Sequence, residues 1–272
     1  MSERNQEEIR KAVRDNYGAV AVRGKGTGCA PAGGCCGAGP ESTAGADTTR
    51  DKAGRLGYSD AEQAAAPEGA DLGLGCGNPQ AIAAIQEGET VLDLGSGAGF
   101  DAFLAAAQVG PSGRVIGVDM TPEMIEKARA NAQKGDFAQV EFRQGEIENP
   151  PVEDGSVDVI ISNCVINLSP DKAAVFREAY RVLKPGGRLA VSDIVATAPL
   201  PEAVQADLNL YVGCMAGAET IDRLEGWLGE VGFSDIRIRP KDASRELIRE
   251  WSPGKKLEDF VLSATIEAIK PA

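Results

Sequence analysis

Between Val91 and Asp101 the chain reads VLDLGSGAGFD: an apolar segment carrying one acid, Asp93, then glycines at 95, 97 and 99 and an apolar helical pattern beyond. Such a stretch describes a strand that turns sharply and runs directly into a helix, with a backbone that lets a ligand approach closely and free N–H groups at the helix start. The pattern repeats along the chain. Strands are predicted at 90–95, 114–119, 139–144, 157–163 and 188–194, with helices at 99–108, 121–134 and 170–183, the last ended by KPGG. Segment 157–163, VDVIISN, is apolar almost throughout, as a strand buried on both faces should be. Strands alternating with helices specify an α/β fold with a doubly wound, mostly parallel sheet.

Outside this core the patterns are looser. Ile9, Ala12, Val13 and Tyr17 lie at helical spacing and predict an amphipathic helix over 5–18. Residues 24–49 are rich in Gly, Ala, Ser and Thr and read as a flexible loop, although they carry Cys29, Cys35 and Cys36. Asn78-Pro79 opens a short helix to about residue 86. Helices are predicted at 202–217 and 220–232, followed by two late strands that form either an antiparallel edge of the sheet or a small subdomain. The expected organisation is thus 1–70 as a helix and cysteine-bearing loop, 71–200 as a ligand-binding Rossmann-like core, and 201–272 as a smaller α+β region. With the late strands the sheet counts seven.

Charge and residue usage narrow the chemistry. There are 41 Asp and Glu against 28 Lys and Arg, a net charge of −13, which disfavours nucleic acid and anionic membrane surfaces as partners. No stretch approaches about 18 consecutive apolar residues, and the N-terminus has no apolar signal core, so the expected location is cytoplasmic. The chain contains no histidine. That removes Ser-His-Asp and Cys-His catalysis and any histidine base, and it leaves an ordinary zinc site only an all-thiolate option.

Acids recur where the strands end. Asp93 precedes the glycine turn, in which Ser96 stands between Gly95 and Gly97. Asp119 closes the second strand, followed by Met120. Glu146 and Ile147 follow the third. A carboxylate such as Asp119 suits two ribose hydroxyls, and an acid with an apolar neighbour, Glu146 with Ile147, can frame an adenine. Acids at three successive strand ends favour a nucleoside with a cationic tail over one with phosphates, which points to S-adenosylmethionine. Asn163, Asp101 and Tyr17 are further candidates to touch or cover it; Trp227 and Trp251 read as packing residues. Cys164 directly follows the strand 157–163, Cys214 lies in NLYVGCMAGA beyond the core, and Cys76 sits between glycines ahead of the turn. Any one of them alone reads as a small buried hydrophobe. Cys164 is expected in the crevice at that strand's end, and Cys76 is expected to fold over the same crevice.

The run VLDLGSGAGFD, GRVIGVDMTPEMIEKAR, VEFRQGEIE, VDVIISNCVINLSPDK and EAYRVLKPGGRLAVSDIV resembles class I S-adenosylmethionine-dependent methyltransferases over about residues 89–195. Across nearly the whole chain, NYGAVA, CCG, LGLGCGNP, SNCVINLSPDK and YVGCMAGA resemble the arsenite methyltransferase family. That resemblance implies trivalent arsenic, as arsenite or a thiol conjugate, held by three thiolates that map to Cys76, Cys164 and Cys214. It also implies a turnover disulfide between Cys76 and an N-terminal cysteine. Cys35 and Cys36 both occupy that region, and Cys29 has no counterpart; a thiol reductant such as glutathione or thioredoxin would reopen the bond. The chemistry agrees with the composition. Soft trivalent arsenic suits thiolates, and its lone pair is itself the nucleophile, so methyl transfer needs no general base. Two other readings remain open: a small-molecule C- or O-methyltransferase of this fold, or an arsenic-binding sensor without turnover.

Overall fold

The computed structural model describes residues 3–23, 48–135 and 137–272. Helices α1 (Glu3–Arg23), α2 (Thr48–Leu56), α3 (Asp60–Ala65) and α4 (Gln80–Ala83) precede the first strand. The alternating core follows as β1 (Thr90–Leu94), α5 (Phe100–Val109), β2 (Arg114–Asp119), α6 (Pro122–Ala132), β3 (Val140–Gln144), β4 (Val157–Asn163), α7 (Lys172–Val182) and β5 (Leu183–Ala196). The remainder comprises α8 (Glu202–Gln205), α9 (Leu208–Val212), β6 (Glu219–Thr220), α10 (Ile221–Val231), β7 (Ser234–Pro240), α11 (Ser244–Trp251) and β8 (Val261–Ile269).

Among the described residues one sheet contains all the strands, in the order β3-β2-β1-β4-β5-β8-β7, with the two-residue β6 paired to β5 off that path. The first five strands are mutually parallel, whereas β8 runs antiparallel to both β5 and β7. The doubly wound, mostly parallel expectation therefore holds, but the sheet has eight strands where seven were expected, because the two-residue β6 also pairs with β5, and the late strands extend the central sheet. Side chains alternate between two apolar layers. Leu92, Leu94 and Ile160 pack with Phe176 and Leu228 on one face, and Val91, Val159 and Ile161 pack with Phe103 on the other. Burial on both faces explains why these strands read as continuous apolar runs. Strand order reverses between β1 and β4, so a crevice opens at their C-terminal ends, where open α/β sheets bind ligands.

Four local expectations change. Helix α1 runs on past residue 18 because Ala21 is buried against Leu72, Ala98 and Met124. The helix begun at Asn78-Pro79 stops at Ala83, since Ala84 turns left-handed at φ 47° and Arg188 takes the carbonyls of Ala83 and Ala84. The KPGG segment does not separate a helix from a strand. Leu183 already pairs with Val157, and the four residues after it bulge out before Arg188 resumes pairing opposite Val159. The predicted helix over 202–217 is two short helices, because Asp207 accepts from the N–H groups of Asn209 and Leu210 and starts α9 afresh. Among the described residues no helix is long and apolar enough to cross a membrane.

Candidate active site

The glycine turn after β1 forms a cradle. Gly95, Gly97 and Gly99 all have positive φ, and the N–H groups of Gly95 and Ser96 both reach Val118 O, which folds the turn back over β2. Only glycine fits at 95: at φ 73°, a Cβ there would also stand 2.3 Å from Val165 Cγ1. Asp119 ties this turn to the next helix, its Oδ2 accepting from Gly97 N at 3.0 Å and its Oδ1 from Thr121 N at 2.8 Å. Two buried polar atoms in the cradle, Asp93 Oδ2 and Ser96 Oγ, have no partner. Buried polar atoms are ordinarily paired, so these two are poised for a ligand that donates and accepts hydrogen bonds. Burial, and then the neighbouring charges of Asp101 and Asp119, push Asp93 well above the usual carboxylate range. A cationic ligand group would reverse that shift.

Beside the cradle lies a cluster of thiols. Cys164 follows β4 directly and Cys214 follows α9, and both hold left-handed backbone at φ 60° and 63°. Non-glycine residues adopt this region at a cost, and such strain concentrates at functional sites. The Cys164 N–H donates to Ser192 O at 2.7 Å, and the Cys214 thiol donates to Cys164 O at 2.7 Å. Cys76 is held from three sides. Its N–H donates to Asn163 Oδ1 at 3.1 Å, Ser263 Oγ donates to its carbonyl at 2.8 Å, and Asn163 Nδ2 donates to Gly77 O at 2.8 Å. Gly75 allows this close approach, because a Cβ there would stand 2.7 Å from Asn163 Nδ2. The Sγ atoms of Cys76 and Cys164 and a carboxylate oxygen of Asp193 all lie within 4.8 Å of one another.

All three thiols are buried and free. Burial raises the Cys76 pKa. A hydrogen bond with Cys214 lowers that of Cys164, but the bond with Cys76 and burial outweigh it and leave the thiol well above its ordinary range. For Cys214 the bond with Cys164 and burial both act upward. Without a ligand the cluster is therefore protonated, and a thiophilic centre binding there releases protons.

Tyr17, Asp93, Gly95, Ser96, Gly97, Asp119, Met120, Ile147, Asn163, Cys164 and Cys214 all line one cleft. Cys76, whose Sγ lies within 4.8 Å of that of Cys164, and Gly99, which caps the start of α5, do not line the cleft. Tyr17 reaches over from α1 and donates to Val212 O at 3.1 Å, two residues before Cys214. Glu146 faces α1, 3.5 Å from Arg10 Nε and 3.7 Å from Arg14 Nη1, while Glu148 lines the cleft and accepts from Ser169 Oγ. Cys29, Cys35 and Cys36 lie outside the described residues. The sequence reading missed Tyr58 and Asp193. Tyr58 donates to Asp101 Oδ1 at 2.8 Å and accepts from Asn163 Nδ2 at 2.9 Å. Asp193 had one legible signal, an acid within the apolar strand RLAVSDIVA.

Residues 85–232 match the family model of a methyltransferase domain. An arsenite methyltransferase from Halobacterium salinarum is 52% identical over 278 residues, covering 100% of this chain and 69% of that protein. The chain belongs to the arsenite methyltransferase family. A second member, from Aquipseudomonas alcaligenes, is 46% identical over 179 residues, and the match covers 63% of this chain and 51% of that relative, about half its length. Among solved structures, CrArsM, an arsenic (III) S-adenosylmethionine methyltransferase from Chlamydomonas reinhardtii, superimposes with a TM-score of 0.60 at 36% identity. That match covers 82% of this chain and 73% of the other.

Two outcomes follow from the buried polar groups. Replacing Asn163 with Ala removes the bonds to Cys76 N and Gly77 O, so Cys76 should alkylate with iodoacetamide at least about tenfold faster, with stability lowered by about 1–3 kcal/mol. Peptide mapping that finds Cys76 no more reactive than before would contradict the latch. Burial pushes Asp101 and Asp193 up to about 6, against about 4 in the unfolded chain. The folded state then binds more protons between those values, so stability falls as pH rises through that window and levels off above it. Carboxylates held low by arginines, such as Glu141 beside Arg143 and Arg114, lose their contribution only below about pH 4.5. The urea midpoint should therefore be higher at pH 5 than at pH 7, with the difference reduced in Asp101→Asn; equal midpoints would contradict this.

Proposed function

We propose that the protein methylates trivalent arsenic, supplied as arsenite or its thiol conjugates, with S-adenosylmethionine as methyl donor. The observation that carries this reading is one cleft, at the ends of β1 and β4, that joins an acid-lined glycine cradle to the buried thiols of Cys164 and Cys214, with the buried Cys76 thiol hydrogen-bonded to Cys164. The cradle fits the donor. The unpartnered Asp93 Oδ2 and Ser96 Oγ match its ammonium and carboxylate end, the turn from Gly95 to Gly99 admits its backbone-close portion, and Asp119 retains acceptor capacity for ribose hydroxyls. Met120 and Ile147 line the same cleft and frame the adenine. Glu146, engaged by Arg10 and Arg14, secures α1 beside that position.

S-adenosylmethionine supplies an electrophilic sulfonium methyl, for which the arsenic lone pair is the nucleophile. The chain's own work is to hold, orient and shield. Cys76, Cys164 and Cys214 exchange their protons for arsenic and fix it as a trigonal centre. Tyr17 on α1 closes over the Cys214 side, and the loop from Leu72 to Gly75 lines the cleft from the Cys76 side, so water is kept from both reactants. Because the nucleophile carries no proton, a chain without histidine has everything the step requires. Methylation formally raises arsenic to the pentavalent state. Oxidation of two thiols to a disulfide returns the two electrons; we assign this to Cys76 with Cys35 or Cys36, reopened by glutathione or thioredoxin. On this reading residues 1–70 bring the covering helix and the redox cysteine, 71–200 the donor site, and 201–272 the third thiolate.

The test is methylation of arsenite by the reduced protein with S-adenosylmethionine. Serine at Cys76, Cys164 or Cys214 should each lower the rate by roughly a hundredfold while leaving binding of S-adenosylmethionine intact. Full activity in all three variants would refute the thiolate site and return the protein to the small-molecule methyltransferases.

A further inference from the structure

Asp193 has no part in the reaction as derived above, yet it is the third member of a buried donor group with Cys76 and Cys164. Its carboxylate lies within 4.8 Å of both Cys76 Sγ and Cys164 Sγ, and all three residues are buried. It is also rigidly aimed. Oδ1 accepts from Asn167 Nδ2 at 2.8 Å and from Ile194 N at 2.7 Å, and Oδ2 accepts from Asn167 N at 3.3 Å. Hydrogen bonds of this kind orient carboxylates that ligate metals. Cys214, by contrast, directs its thiol to the carbonyl of Cys164.

Two sulfurs and one carboxylate oxygen are a poor set for trivalent arsenic, which is soft and completes a neutral centre with three thiolates. They are a good set for a four-coordinate, thiophilic divalent cation of the zinc and cadmium class, which accepts sulfur and oxygen together and takes solvent as its fourth ligand. Charge agrees. Two thiolates and a carboxylate carry three negative charges, and a divalent cation with the buried Lys172 ammonium, which acts electrostatically on Asp193, offsets all three. Glu219, the other acid acting on Lys172, is itself paired with Arg223 at 3.5 Å.

We propose that Cys76, Cys164 and Asp193 form a mixed sulfur–oxygen site for a thiophilic divalent cation, and that this cation competes with arsenic by occupying two of its three thiols. Loading is an exchange: the cation enters as its aqua ion, the two thiol protons leave to solvent, and no electron moves. The competition rests on the arsenic site proposed above, because Cys76 and Cys164 are shared, whereas the cation site itself has its own occupant and its own third donor, Asp193.

The probe is cadmium chloride, titrated into the reduced full chain carrying Ser at Cys29, Cys35 and Cys36 and followed by the ultraviolet thiolate-to-cadmium absorption. Arsenite is titrated in parallel. Asp193→Asn should weaken cadmium at least about tenfold and leave arsenite within about twofold, whereas Cys214→Ser should do the reverse. Excess arsenite should displace the cadmium. The inference is overturned if cadmium does not bind, if Asp193→Asn leaves its affinity unchanged, or if Cys214→Ser weakens it as strongly as Asp193→Asn does. Should Asp193→Asn lose its native circular dichroism, the cadmium-113 chemical shift of the Asp193-containing protein decides instead. Two sulfurs with oxygen support the site, and three sulfurs overturn it. Failed cadmium binding beside intact arsenite methylation by the protein that retains Cys29, Cys35 and Cys36 would remove this inference and leave the proposed function standing.

Discussion

The site depends on one short piece of backbone, the left-handed residue Cys164 where β4 ends. Its N–H is bonded to Ser192 on β5, its carbonyl receives the Cys214 thiol, and its sulfur meets that of Cys76. The residues on either side extend the arrangement. Asn163 grips the Cys76 loop, and Val165 fills the space over Gly95 in the donor cradle. A left-handed non-glycine residue costs roughly 1–2 kcal/mol, and the pairing of β4 with β1 and β5 holds it in place. An ordinary extended residue there would carry the chain away from both the cradle and the cysteine loop.

The electrostatics of the two halves differ in kind. In the glycine cradle, burial and the neighbouring charges of Asp101 and Asp119 leave Asp93 under-satisfied, so a cationic ligand would relieve a penalty already present in the fold. The cysteine cluster is built from thiols that burial keeps protonated, so it is uncharged unless a thiophilic centre displaces the protons. Asn163 and Asp101 join the two. The Asn163 amide contacts both the Cys76 loop and Asp101 Oδ2, at 3.2 Å, and Tyr58 bridges the same pair. A change at the donor turn therefore has a direct hydrogen-bonded route to the loop that carries Cys76.

Much of the fold was readable because periodicity and turn chemistry are local. Strands 114–119 and 157–163 fall where apolar runs and their bounding polar residues place them, and the glycine turn is where it was expected. What was not readable is fixed by partners distant in the chain. KPGG became a bulge because Leu183 pairs with Val157 and Gly186 N reaches Lys270 O. Glu146 turned outward because Arg10 and Arg14 on α1 claim it, while Glu148 took the position on the cleft. At the site, Cys164 could be placed from its position directly after a strand, whereas Cys76 and Cys214 were assigned through the family resemblance. The latch between Asn163 and Cys76, 87 residues apart, could not be placed, and neither could the aim of Asp193, set by an asparagine 26 residues away.

The central claim is that three thiolates from distant parts of the chain hold arsenic as a single centre beside the methyl donor. X-ray absorption at the arsenic edge, on the reduced protein with Ser at Cys29, Cys35 and Cys36 and one equivalent of arsenite, measures that coordination directly. The account predicts a first shell of three sulfurs and no oxygen, falling to two sulfurs when Cys214 is replaced by Ser. A wild-type shell containing oxygen, or one unchanged by the loss of Cys214, would contradict it.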